Sequence, residues 1–278
     1  ALRVECLARQ WDLPVWHLED GLLRSVAKGR EHPPLALLVD ELGVHFDATV
    51  PSRMEQLISA PITVAEAERA RALQRLWCEQ RLSKVNPPVE AEAPQEPYVL
   101  VVDQSAGDRS IALGLADASC FQRMLQAALD EHPDCTVVLK VHPDVIAGRA
   151  RGHFSAKDLA QPRVRISADG GHPARLLERA RAVYVVTSQM GFEALLWGRP
   201  VHCFGMPFYG GWGLTHDRCE APIRRRQGAS LEALVHAALV GVCRCIDPHH
   251  HQACSIEVLM GAIGLQRRLQ AQQPRRSV

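Results

Sequence analysis

Four short segments carry side chains able to handle a phosphate or a proton, and each directly follows an apolar run. Asp103-Gln104-Ser105-Ala106-Gly107-Asp108-Arg109-Ser110 follows the run 98–102, and His142-Pro143-Asp144 follows 136–141. Thr187-Ser188-Gln189 follows 183–186, and Gly205 to Gly213 follows 200–204. Thr187 and Ser188 open a predicted helix. They read as ordinary N-cap residues and equally as a phosphate seat, because free N–H groups and partial positive charge gather at a helix N-terminus. His142 is the residue type that moves protons near neutral pH, although a His before Pro also serves simply to end a strand. Aromatics interleaved with glycine in Gly205-Met206-Pro207-Phe208-Tyr209-Gly210-Gly211-Trp212-Gly213 fit a backbone-lined ligand wall or a long turn. Asp108 is, by itself, an acid in a loop.

The elements between these segments explain how they meet. Strands are predicted over 98–102, 136–141, 183–186 and 200–204. Helices are predicted over 119–131, where Phe121, Met124, Leu125 and Leu129 share a face, and over 173–182 and 191–197. Such alternation predicts a parallel sheet with helices on both faces, and ligands bind such sheets beyond the carboxyl ends of the strands. Upstream, the Pro- and Glu-rich stretch 85–97 reads as a linker, dividing the chain into domains 1–90 and 91–278. The first part offers an extended segment at 13–18, a strand at 35–39, a small hairpin at 42–46 and a helix over 64–82. These strands are too few for a full parallel sheet. A truncated α/β domain at the start of an excised segment is the expectation.

Composition narrows the class. The 278 residues are 47% hydrophobic and 23% charged, and 32 Lys and Arg against 31 Asp and Glu leave a net charge of +1. That excludes a strongly basic nucleic-acid-binding field and an acidic tail. No apolar run approaches the roughly 18–20 residues that cross a bilayer, and no secretory signal opens the sequence. Nine cysteines, several inside apolar runs, read as small core residues in a reducing compartment, with the cytoplasm as default. Neither a phosphate-binding G-x-x-x-x-G-K-[ST] loop nor a G-x-G-x-x-G after a strand is present. His249-His250-His251 near Cys243, Cys245 and Cys254 raises zinc, but the spacing fits no standard finger and reads as a solvated cluster. Arg224-Arg225-Arg226 reads as a solvated face, with contact to anionic lipid head groups as the second reading.

Taken together, these segments resemble the KpsC-type (KpsC/LipB) capsule polysaccharide family. The resemblance is carried by Glu19-Asp20-Gly21-Leu22-Leu23-Arg24-Ser25, Lys140-Val141-His142-Pro143-Asp144-Val145, Thr187-Ser188-Gln189-Met190-Gly191-Phe192-Glu193-Ala194-Leu195-Leu196 and 205–215 (Gly-Met-Pro-Phe-Tyr-Gly-Gly-Trp-Gly-Leu-Thr). Weaker landmarks are 47–52 and Leu82-Ser83-Lys84-Val85-Asn86. Leu22 stands where the family has Phe, Gly210 where it has Ala, and Ala27-Lys28 depart after the Arg-Ser pair. The resemblance implies an α/β, GT-B-like fold, two Rossmann-type domains facing a cleft with the N-terminal one incomplete. It implies a retaining β-Kdo glycosyltransferase, where Kdo is 3-deoxy-D-manno-oct-2-ulosonic acid. CMP-β-Kdo is then the donor substrate, with no separate cofactor and no metal, and the acceptor is a Kdo-bearing phospholipid. Peripheral contact with the inner membrane and with capsule assembly proteins follows at the cytoplasmic face, without nucleic acid. The Asp103–Asp108 loop and 116–121 are most like the N-terminal module, which implies a β-(2→4) linkage.

The resemblance also implies roles. Asp108 matches the nucleophile position and Glu19 the acid/base position, with Asp20 as its alternate or as a structural partner of Arg24. The chemistry of a departing CMP, whose negative charge must meet helix N-termini, hydroxyls and cations, adds further expectations: Ser188, with Thr187, would bind the donor phosphate, and His142 would donate to it. Lys140 would meet the phosphate or the Kdo carboxylate, and Glu193 the ribose hydroxyls. Gln104, Pro143 and Arg24 are further candidates for donor binding. Two other readings stay open at this point: a CMP-sialic-acid-type transferase, and a non-catalytic module that docks a glycolipid or partner.

Overall fold

The computed structural model describes residues 7–272 apart from 9, 28 and 30. The strands are β1 (His17–Asp20), β2 (Ala36–Asp40), β3 (Tyr98–Val102), β4 (Thr136–Lys140) and β5 (Val164–Ser167), then β6 (Val183–Val185), β7 (Val201–Cys203), β8 (His216–Asp217), β9 (Cys243–Ile246) and β10 (Ala253–Cys254). The helices are α1 (Arg53–Ser59), α2 (Val64–Glu79), α3 (Arg109–Leu113), α4 (Ser119–Glu131) and α5 (Pro143–Ile146), then α6 (Ala156–Leu159), α7 (Ala174–Arg179), α8 (Met190–Leu196), α9 (Leu231–His236) and α10 (Ile256–Gln272).

The parallel sheet runs in the order β5-β4-β3-β6-β7-β8. Counted from its own first strand, that is the 3-2-1-4-5-6 order of a Rossmann-type sheet, whose switch point lies between its first and fourth strands. Here those are β3 and β6. Register levels the carboxyl ends, since Val102 pairs with Lys140 and Lys140 with Ser167. Strand β3 is buried along its whole length and feeds two cores. Tyr98, Leu100 and Val102 enter one, with Trp77 of α2, Phe192 of α8 and Leu259 of α10. Val99 and Val101 enter the other, against Phe121, Met124 and Leu125 of α4. That split follows from the two-residue period of a strand. Helix α4 buries Cys120, Phe121, Met124, Leu125 and Ala128, one stripe at helical spacing. Each large side chain so removed from water contributes about 1.5–3 kcal/mol.

The smaller sheet is antiparallel, in the order β1-β2-β9-β10. Its last two strands come from the far end of the sequence, so residues 243–254 join the first 40 residues, a return that the division into 1–90 and 91–278 does not include. The hairpin expected at 42–46 is not formed. Strand β2 ends at buried Asp40, whose carboxylate accepts from the amides of Leu42, Gly43, Arg53 and Met54 at 2.9–3.1 Å. Those bonds turn the chain into a loop and carry it to α1, which Ser52 caps through Glu55 N.

The stretch 85–97 does not run as a free linker. His172 N donates to Val89 O and Ala91 N to His172 O, and a side chain on Gly171 would lie 2.5 Å from Ala91 N. Arg81 and Arg267 both bond Glu90. Burial pushes the Glu90 carboxyl up, but these two guanidinium groups outweigh it and hold it down at about 2.

Arg224–Arg226 do not form one solvated face. Arg225 is fully buried and pairs with buried Glu55, Arg224 pairs with the same carboxylate at 2.6 Å, and Arg226 bonds Glu220. Arg225 also donates to Pro207 O (2.6 Å) and Gly210 O (3.0 Å), joining α1 to the aromatic–glycine loop. Removing one partner of a buried pair leaves an uncompensated charge, so Glu55→Ala is expected to lower stability by about 3–5 kcal/mol in urea unfolding. A loss below about 1 kcal/mol would show that Arg224 and Arg225 find water instead.

Candidate active site

A cavity of about 660 Å³ opens at the β3–β6 switch point. Its wall includes Glu19, Asp108, His142, Lys140, Gln104, Thr187, Ser188 and Glu193, so acids of the smaller sheet's side and the strand-end groups of the parallel sheet share one space. Gln104 and Thr187 close the switch point against each other. Thr187 N donates to Gln104 Oε1 (2.9 Å), and Gln104 Nε2 donates to Thr187 Oγ1 (3.0 Å) and Ser110 Oγ (3.3 Å). Both side chains therefore serve first as a clamp between the two strand ends. Behind this loop, His153 Nδ1 lies 3.0 Å from Gln104 O and 3.2 Å from buried Asp103, and its ring stacks on Phe121 at 3.7 Å. Two acceptors at one nitrogen place the His153 proton on Nδ1.

Asp108 is exposed in the cavity wall and caps α3, accepting from Ser110 N at 2.9 Å. Glu19 lies on β1 opposite Leu38. Burial raises its carboxyl above the usual value, Lys84 opposes the rise, and Asp20, then Asp108, add to it. Asp20 is the acid that pairs with Arg24, at 2.7 Å. Arg24 is not part of the cavity wall. Its guanidinium is engaged by Asp20, Ser25 Oγ, Ala27 O and His32 O, so it ties these residues together and leaves no fork for a donor.

On the opposite side, Asp144 N donates to His142 Nδ1 (3.1 Å), and Ser105 Oγ lies 3.1 Å from the same atom. An accepting Nδ1 puts the neutral ring's proton on Nε2, the form that can donate. The side chain of Pro143 lies outside the described residues. Lys140 is buried, with Nζ 3.5 Å from Gly171 O, and burial lowers its ammonium from the ordinary value. Ser188 Oγ accepts from Met190 N (3.3 Å), and Ser188 O accepts from the Tyr209 hydroxyl. That contact explains Gly191, where a Cβ would fall 2.2 Å from Tyr209 Oη.

Glu193 lines the cavity and also holds a neighbouring segment in place. It is 1% exposed, and Oε1 accepts from Lys84 N (3.2 Å) and Gln189 Nε2 (3.1 Å). Oε1 so fixes the 83–86 segment, while Oε2 is buried without a hydrogen-bond partner in a residue of the cavity wall. Burial pushes the carboxyl up to about 7. An acid raised this way contributes stability that is full below its ordinary 4.5 and is lost as pH rises through about 7. Melting temperature is therefore expected to fall between about pH 5 and pH 8, and Glu193→Gln to flatten that fall in a thermal-shift series.

Several wall residues had not been singled out from sequence as site residues: Lys84, His45, Phe46, Ser110 and Phe208. Lys84 lay in a landmark segment, the only signal available for it. His45 is held down at about 3, by burial first and by Lys84 second, so it is a neutral wall residue. The cysteine–histidine segment lies elsewhere. His250 pairs with Asp247 at 2.8 Å, and no group of three or more His, Cys, Asp or Glu among the described residues could hold a metal ion. No described helix is long and apolar enough to cross a membrane.

The sequence profile of the capsule polysaccharide biosynthesis protein family matches residues 2–75 and 66–246. The chain is 39% identical over 270 residues to the capsule polysaccharide modification protein LipA of Neisseria meningitidis serogroup B, covering 91% of this chain and 38% of LipA. It is 39% identical over 238 residues to the lipopolysaccharide-processing protein LpsZ of Rhizobium meliloti, covering 82% of this chain and 53% of LpsZ. The chain thus spans between about two fifths and half of the length of these relatives. Among solved structures, the β-Kdo 2,4-transferase of Thermosulfurimonas dismutans KpsC superposes with a TM-score of 0.87 at 38% identity, over 95% of this chain and 84% of that one. The β-Kdo 2,7-transferase of the same KpsC superposes at 0.74 and 27% identity, over 96% and 83%. With its profile match over most of its length and these KpsC likenesses, this GT-B-like chain belongs to the capsule polysaccharide biosynthesis protein family.

Proposed function

We propose that the chain transfers Kdo from CMP-β-Kdo to a Kdo-bearing glycolipid with retention of configuration, by double displacement. One observation carries the reading: Asp108, Glu19, His142 and Ser188, from both sheets' sides, line a single cavity at the switch point. The likeness to a β-Kdo 2,4-transferase, higher in both identity and superposition than to a 2,7-transferase, supports the β-(2→4) linkage.

In the first half-reaction, a carboxylate oxygen of Asp108 bonds to the anomeric carbon while the bond from that carbon to the phosphate oxygen breaks. The transition state carries oxocarbenium character, with negative charge growing on departing CMP. His142, protonated on Nε2, and the Ser188 hydroxyl meet that charge. In the second, an acceptor hydroxyl attacks the opposite face, its proton passes to Glu19, and the Asp108 oxygen leaves. Two inversions give net retention. The acceptor is lipid-linked, so the protein works at the cytoplasmic face of the inner membrane, alongside capsule assembly proteins and without nucleic acid.

His142→Ala and Ser188→Ala are each expected to weaken CMP binding about tenfold or more in calorimetric titration, the cost of one hydrogen bond to a charged group. Unchanged affinity would remove the phosphate assignment. The function itself is tested by incubating the protein with CMP-Kdo and a Kdo-bearing acceptor lipid analogue. Mass spectrometry should find one added Kdo, and NMR a β-(2→4) linkage. Transfer from CMP-sialic acid instead, or CMP binding without transfer to any acceptor, would favour the sialyl-type or the docking reading.

A further inference from the structure

Lys84 is a cavity-wall cation to which no motif assigned a part. Its backbone is fixed on both sides: Lys84 O accepts from Arg24 N (2.8 Å), and Lys84 N donates to Glu193 Oε1 (3.2 Å). Two residues on, buried Asn86 accepts from Ser83 N (2.9 Å) and donates to Ser25 O (3.1 Å), and His172 Nε2 lies 3.2 Å from its Oδ1. The segment is therefore pinned where Ser83, Lys84 and Val85 line the cavity, the condition for a side chain that discriminates between ligands.

Lys84 acts on Glu19, on His45 and on Glu193. Asp169 and Glu193 act on Lys140, whose Nζ lies against Gly171 O. Arg149 also lines the space, but its side chain is 68% exposed and paired with Asp144. Arg109 acts on Glu19 without being part of the wall. Geometry ties Lys84 to the acidic segment, since Arg24 N donates to Lys84 O and Arg24 pairs with Asp20, next to Glu19, while Lys140 Nζ lies against Gly171 O.

We propose that Lys84 binds the carboxylate of the sugar-acid donor, and so selects a 2-keto-acid sugar over a neutral one. The inference rests on the transferase reading above. In such a donor the carboxylate is attached to the anomeric carbon, the atom that Asp108 must reach. It must therefore enter a cavity whose wall already includes Glu19, Asp20 and Asp108. Like charges repel in a cleft shielded from water, and a site that accepts a further carboxylate has to supply a cation beside it. Lys84 is the wall lysine whose backbone is bonded to the Glu19–Arg24 segment, whereas Lys140 ends β4, two residues before His142, with its Nζ on Gly171 O.

The test compares ligands with and without the carboxylate. Titrations use CMP and CMP-Kdo in an Asp108→Asn background, which blocks turnover, together with the KM for CMP-Kdo in the active enzyme. Lys84→Met should leave CMP affinity within about twofold and weaken CMP-Kdo binding about tenfold or more, and Lys84→Arg should recover part of the loss. Should Lys84→Met not fold, Lys84→Gln and Lys84→Arg make the same comparison. The assignment is overturned if the neutral variants bind CMP-Kdo as tightly as the parent, or lose CMP and CMP-Kdo equally. A parent protein that binds neither ligand overturns the transferase reading itself, a result distinct from a parent that binds both while the Lys84 variants match it.

Discussion

Asp108→Asn is expected to lower Kdo transfer by on the order of 10⁴-fold or more while leaving CMP affinity within about twofold. The expectation follows from where the carboxylate sits. Asp108 lies in the wall at the β3–β6 switch point but makes none of the clamp contacts, which belong to Gln104, Thr187 and Ser110. Asparagine keeps an oxygen to accept from Ser110 N, so the cap on α3 persists. What it loses is a charge able to form and then release an ester. Each tenfold is about 1.4 kcal/mol of barrier, so the predicted loss corresponds to about 5.5 kcal/mol. Single-turnover kinetics with CMP-Kdo, paired with CMP titration, measures both halves. Transfer within tenfold of wild type would remove Asp108 as nucleophile and leave it a helix cap.

The second large effect is at Glu19. Glu19→Gln is expected to cost about 10²–10⁴-fold in transfer to acceptor, the usual worth of a positioned general base. The pH profile separates this from a structural role. Burial, reinforced by Asp20 and Asp108, raises the Glu19 carboxyl, with Lys84 opposing. A base acts in its ionised form, so a raised value moves the acid limb of the rate profile upward, and activity is lost at a higher pH than an ordinary carboxylate would give. Glu19→Gln should abolish that limb. Asp20→Asn, by contrast, should act mainly on stability, because Asp20 pairs with Arg24 inside its own loop. If the Asp20 variant lost transfer and the Glu19 variant did not, the two roles would be exchanged.

Much of the parallel sheet is legible in the sequence, and the reason is physical. Strands buried on both faces are continuous apolar runs, as at Tyr98–Val102, and each ends on residues too polar to continue it. Strand β5 left no such run, because Arg165 and Ile166 in Val164–Ser167 stay exposed. The pairing of β9 with β2 joins residues some 200 positions apart, and no local pattern carries that information. Its Cys243-Arg244-Cys245-Ile246 alternates buried and exposed, a strand signal that the cysteines drew toward metal chemistry instead.

The site divides the same way. Rules about strand ends bring Asp108, His142 and Ser188 to one edge, but which polar groups consume one another is a matter of three-dimensional geometry. Gln104 and Thr187 satisfy each other, Arg24 is engaged by Asp20, Ser25, Ala27 and His32, and Glu193 Oε1 holds the Lys84 amide. Lys84 itself sits at the edge of a stretch whose prolines and glutamates read as a linker, until Asn86, Glu90 and Ala91 are seen to be pinned.

The central claim is a covalent one, and intact-protein mass spectrometry reaches it directly. Glu19→Gln incubated with CMP-Kdo and no acceptor should gain the mass of one Kdo residue, and peptide mapping should place it on Asp108. Release of CMP at the wild-type single-turnover rate with no adduct on the protein, or an adduct mapped to another residue, would contradict the account.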